Sequence, residues 1–151
     1  MRIIGKKVII RDVVSTDLLD HLLWQADEEI IHLDPTVGTP NPVLFFSIDT
    51  LEGVHIGTCS LYDHTGGDIQ LGIRIGNKAY WNKGYGTEVV SLLVQHAFEK
   101  ILNVRRVWLK VLPENLGAIR CYEKVGFKAF GRLALSGYEF IVMEILSGAT
   151  D

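Results

Sequence analysis

Residues 68–75 read DIQLGIRI, an alternation that puts Ile69, Leu71, Ile73 and Ile75 on one face and Asp68, Gln70, Gly72 and Arg74 on the other. A period of two predicts a β-strand with one face against a core. The same reading predicts strands over 7–13, 43–49, 54–62, 104–112, 127–135 and 138–146, with turns at Glu52-Gly53, Gly66-Gly67 and Ser136-Gly137. Helical spacing of Val89, Val90, Leu93, Val94, Ala97, Phe98 and Ile101 predicts a helix after the loop 76–83. Leu18, Leu19, Leu22 and Leu23 predict an earlier helix, with Ser15, Thr16 or Asp17 as its N-cap and its end before Pro35. Pro113 ends a strand, Asn115 caps a helix through Cys121 to residue 125, and Gly126 suits the positive-φ position that closes it. Strands and helices in this order predict a mixed α+β fold, a central sheet with helices packed on it. No repeat or Pro/Gly/Ser-rich linker divides the chain, so residues 1–151 read as a single domain.

Composition narrows the classes. The chain has 151 residues, 48% hydrophobic and 22% charged, as expected of a globular protein. The longest apolar runs, 43–46 and 140–143, are far too short to span a bilayer. The N-terminal residues 1–11 hold no apolar stretch of a secretory signal, which makes the cytoplasm the default location. Cys59 and Cys121 sit in predicted regular elements and read as reduced thiols. His21, His32, His55, His64 and His96 show no metal-ligand spacing, so no metal is expected.

Charge is unevenly distributed. The net charge is −3, yet residues 12–73 hold eleven acids and no Lys or Arg, whereas 74–132 hold eleven Lys plus Arg against four acids. This segregation predicts one surface suited to cations and another to anions. Arg105, Arg106 and Lys110 lack an interleaved aromatic platform, and nucleic-acid binding is not expected.

Two segments carry candidate chemistry. Residues 81–87, WNKGYGT, form a glycine-rich turn that opens a helix. Glycines allow close backbone approach, and the exposed N–H groups of a first helical turn suit a pyrophosphate. Lys83 adds a full charge, while the dinucleotide and P-loop patterns are absent. The second segment begins at Asn115, and Tyr122 lies seven residues on, within about 20° on the same helical face. One ligand can touch both.

Together, WNKGYG and the pattern N-x-x-A-x-x-x-Y-x-x-x-G-F from Asn115 to Phe127 resemble the GNAT superfamily of acetyl-CoA-dependent N-acetyltransferases. The wording is most similar to the branch of ribosomal-protein N-terminal and spermidine acetyltransferases. The resemblance implies a mostly antiparallel sheet of six to seven strands splayed at the cofactor site, with about four helices. It implies that the pantetheine arm pairs with the backbone of Ile73, Arg74 and Ile75. The pyrophosphate would rest on the N–H groups of Lys83, Gly84, Tyr85, Gly86 and Thr87, with Asn115 bonded to the pantetheine region. Tyr122 would stand by the acetyl sulfur as the catalytic acid that protonates the CoA thiolate.

The implied reaction is direct attack by a primary amine in a ternary complex, the acceptor being a protein or peptide N-terminus, a polyamine or a small amine metabolite. An aminoacyl-tRNA acceptor is a sub-case, a homodimer is left open, and the alternative is an inactive CoA-binding sensor or interaction module. Three departures stand out: Trp81 fills the Arg/Gln position of the turn, Gln70 replaces a glutamate that could accept a proton, and the C-terminal strands are short. Deprotonating an alkylammonium at pH 7 costs roughly 4.6 kcal/mol, against about 1.2 for an α-amine, so a weak base favours α-amines. The acidic stretch favours polycations instead. Asp68, His55, Asp63, His64 or a water relayed by one of them are the candidate bases.

Overall fold

The computed structural model describes residues 2–37 and 42–148, with the side chains of Val43, Asp63 and His64 outside that description. Two of the predicted bases, Asp63 and His64, therefore lie outside the described side chains. The strands are β1 (Arg2–Ile4), β2 (Val8–Asp12), β3 (Pro42–Thr50), β4 (His55–Thr65), β5 (Asp68–Ile75), β6 (Arg106–Val111), β7 (Lys128–Leu135) and β8 (Tyr138–Leu146). They form one sheet in the order β1-β2-β3-β4-β5-β6-β8-β7, in which only β5 and β6 run parallel. This eight-stranded sheet exceeds the expected six to seven by β1, whose three residues are too few to show an alternation. Ser136 and Gly137 both have positive φ, 50° and 83°, which gives the β7–β8 hairpin its two-residue turn.

Helices α1 (Leu18–Gln25), α2 (Glu28–Leu33), α3 (Tyr85–Lys100) and α4 (Leu116–Val125) complete the fold. Helix α3 buries Val89, Val90, Leu93, Val94 and Ala97 and packs on α4, β2 and β5. Asn115 caps α4 by accepting from the Ala118 N–H at 3.3 Å, and Gly126 closes it at φ 120°. Both assignments follow the sequence.

The first helical region differs from expectation in two ways. It is two helices, because Asp27 starts a new one by accepting from the Ile30 N–H at 3.1 Å. Its leucines also face outward: Leu18, Leu19, Leu22 and Leu23 are 53–66% exposed. The inner side of α1 is made by His21 and Trp24, and the Trp24 indole lies so close to Gly76 that a Cβ there would strike it. Asp17 occupies the N-cap position of α1, but its side chain does not bond to the first turn of that helix. Its buried carboxylate takes two hydrogen bonds from Arg11 at 2.8 Å, one from the Ser47 hydroxyl and one from the Val14 N–H.

The charge segregation of the sequence does not become two clean surfaces. Of the eleven acids in 12–73, Asp17 and Asp49 pair with Arg11, Asp34 with Arg74, Asp27 and Glu29 with Lys78, and Asp68 with Arg106. Much of the apparent excess is spent on tying the N-terminal elements to the rest of the fold.

Candidate active site

The site begins where the sheet opens. Strands β5 and β6 pair only from Asp68 to Gln70 against Arg106 to Trp108, and beyond that point they diverge. The β6-facing edge of Leu71 to Ile75 therefore has no strand partner among the described residues. The gap is part of a cavity of about 630 Å³ lined by Ile73, Arg74 and Ile75 on one side and Lys110 and Val111 on the other. This is the splay that the family resemblance implies.

The glycine-rich turn forms one end of the cavity. Asn82 and Gly84 have φ of 58° and 88°, the left-handed bends that bring the chain round into α3. No side chain caps α3, so the N–H groups of its first turn are available to an anion, and Gly84, Gly86 and Thr87 line the cavity. Trp81 donates from Nε1 to the Ile75 carbonyl at 2.6 Å, which fixes the turn to the end of β5. Lys83 and Tyr85 are not among the lining residues. The Tyr85 ring packs edge-on against Tyr80, with Lys7 Nζ 4.8 Å from its centroid.

Helix α4 supplies a further wall, with Asn115, Cys121 and Tyr122 lining the cavity. Tyr122 is 7% exposed and its ring packs on Phe127. Burial pushes its phenol well above the ordinary range, and the nearby charge of Asp34 pushes the same way, so the proton stays on. Burial also raises the Cys121 thiol, with Thr87 and Lys124 acting in the opposite sense. A raised thiol is a poor nucleophile, in keeping with direct attack rather than an acetyl-cysteine.

Asn115 has a second bond besides its cap. Its Nδ2 donates to the Leu33 carbonyl at 3.3 Å and so ties α4 to the end of α2. There, Leu33, Asp34 and Pro35 also line the cavity. Arg74 reaches the same segment, donating from Nη2 to Asp34 Oδ2 at 3.1 Å and to the Asp34 carbonyl at 3.0 Å.

The other predicted bases stand elsewhere. Asp68 pairs with Arg106 at the closed end of the β5–β6 gap. His55 donates from Nδ1 to the Ile48 carbonyl at 3.1 Å, and its Nε2 lies 3.0 Å from His21 Nε2. Neither lines the cavity, and Gln70 is buried on the paired part of β5. Asp17, His21 and His55 bring three donor atoms within 4.8 Å, but the Asp17 carboxylate is already committed to Arg11. Asp34 and Lys110 were not singled out by the sequence as site residues, and the Arg74 side chain acquires a role beyond its backbone. A lone Asp before Pro35 carries no motif, and its partner lies 40 residues away.

A sequence model of the acetyltransferase (GNAT) domain matches residues 7–128. The chain belongs to this family. It is 30% identical over 83 residues to the spermine/spermidine N(1)-acetyltransferase of Bacillus subtilis, a match covering 55% of this chain and 54% of that protein. The chain thus spans about half the length of the curated relatives it matches. In fold it is similar to a GNAT-family acetyltransferase from Bacillus anthracis, with TM-score 0.82, 18% identity and 100% of both chains covered. It is likewise similar to the spermidine N-acetyltransferase of Vibrio cholerae, solved with CoA and spermine, with TM-score 0.81, 19% identity, and 97% and 100% of the two chains covered.

Proposed function

We propose that this protein transfers an acetyl group from acetyl-CoA to a primary amine, by direct attack in a ternary complex. The observation that carries this reading is the β5–β6 gap, which joins an uncapped helix N-terminus at one end to the buried phenol of Tyr122 on the α4 wall. The pantetheine amides would complete the free edge of Ile73 to Ile75, and the pyrophosphate would lie on the first turn of α3. Arg120 and Lys124 also line the cavity and suit an anionic ligand.

In the reaction, the amine nitrogen attacks the acetyl carbonyl carbon and the C–S bond breaks. Tyr122 gives its proton to the departing thiolate and recovers one from the nitrogen, so the products are the amide and CoA thiol. Similarity to polyamine acetyltransferases supports a polyamine as the first acceptor to examine. CoA release should be measured with spermidine, spermine, α-amino peptides and kanamycin, and turnover is expected with at least one. Tight binding of acetyl-CoA with no release across the panel would overturn the reading and leave a CoA-binding module.

A further inference from the structure

We infer that Asp34, held by Arg74 at the wall of the cavity, receives the acceptor ammonium and takes its proton. The inference rests on the acetyltransferase reading above and goes further by assigning the base. Asp34 ends α2 and is followed by Pro35, which stops the helix and leaves the Asp34 carboxylate at the cavity wall. Arg74 Nε and Nη2 hold Oδ2 at 3.3 and 3.1 Å, while Oδ1 has no protein partner among the described residues. The carboxylate is thus fixed by one oxygen and has the other free for a substrate N–H. Its side chain remains 50% exposed, so an acceptor can reach it from solvent.

The other carboxylate lining the cavity is Glu114. It is exposed, with no ion pair among the described residues. Asp34, by contrast, lies close enough to act electrostatically on both the Tyr122 phenol and the Lys110 ammonium. The charged and titratable groups that interact with it are Arg74 from β5, Lys110 from β6 and Tyr122 from α4, while Arg120 and Lys124 from α4 and Glu114 before α4 line the same cavity. The neighbouring Arg74 and Lys110 cations make an ammonium held there more acidic and so easier for the carboxylate to deprotonate.

The step balances. The ammonium N–H bond breaks and its proton goes to Asp34 Oδ1, the freed lone pair attacks the acetyl carbon, and Asp34 later loses the proton to solvent. Arg74 is a positioning residue in this scheme, because it touches the carboxylate and not the amine.

The test uses acetyl-CoA and whichever amine the native protein turns over, with kcat/KM followed from pH 6 to 9.5. Asp34→Asn should lower kcat/KM about 100-fold at pH 7, and the deficit should shrink below about 10-fold at the alkaline end, where the amine deprotonates unaided. Acetyl-CoA affinity should stay within about 2-fold, and Asp34→Glu should recover part of the loss at neutral pH. Retention of more than about half the activity by Asp34→Asn, an equal loss at every pH, or a parallel loss of acetyl-CoA binding each overturns the assignment. Absence of turnover by the native protein on any amine overturns the transferase reading itself, and this role with it.

Discussion

Asn115 Nδ2 donates to the carbonyl oxygen of Leu33, a bond that joins α4 to α2 across 82 positions of sequence. The same side chain uses its oxygen to cap α4. Both bonds are lost in Asn115→Ala, and the cap alone costs about 1 kcal/mol. Asn115→Asp keeps the acceptor but loses the donor. Urea unfolding is expected to rank the three proteins native, Asp, Ala, with the KM for acetyl-CoA rising in both variants as the α2 wall loosens.

Tyr122→Phe removes the acid and leaves the packing on Phe127 in place. The expected outcome is a kcat about 100-fold lower with the KM for acetyl-CoA little changed. Because burial holds the phenol neutral, the native pH profile should show no alkaline limb from Tyr122 below pH 10. Unchanged turnover in steady-state assays would remove Tyr122 from the chemistry.

The bonds from Arg11 hold the Asp17 carboxyl well below the ordinary carboxylate range. A carboxyl lowered on folding contributes stability above its unfolded pKa of about 3.9, and that contribution is lost as pH falls further toward the folded value. Asp17→Asn removes one of the two carboxylates on Arg11, which keeps its bonds to Asp49, a change expected to cost about 2 kcal/mol at pH 7. Denaturation measured at pH 7 and at pH 3 should show the gap between the two proteins narrowing at the lower pH.

Leu22 and Leu93 are both leucines on helices, one 63% exposed and the other fully buried. Leu22→Lys is expected to change stability by less than about 0.5 kcal/mol, whereas Leu93→Ala should cost about 3. Chemical denaturation of the two variants separates the outward face of α1 from the core face of α3.

Elements whose signals are local were legible before the structure. The limits of β5 and β8, the Ser136-Gly137 turn, the Asn115 cap and the Gly126 stop all rest on alternation or turn chemistry within a few residues. The direction in which α1 turns its leucines was not legible, because spacing defines a face and not what covers it. The same limit applies to charge. Composition showed an acid-only stretch, but its partners Arg11, Arg74, Lys78 and Arg106 are identified only by the fold. In the site, the glycine turn and the Asn115–Tyr122 pair were visible as patterns. The Asp34–Arg74 pair joins a loop to a strand and left no mark in either segment.

The divergence of β5 from β6 leaves a sheet that is one strand short at its centre. A ligand with its own amides can supply the missing hydrogen bonds, and it then becomes part of the secondary structure while bound. Two observables that usually vary separately are joined as a result. Slowed amide hydrogen exchange at Leu71 to Ile75 should track occupancy of the gap, and the melting temperature should rise with the logarithm of ligand concentration.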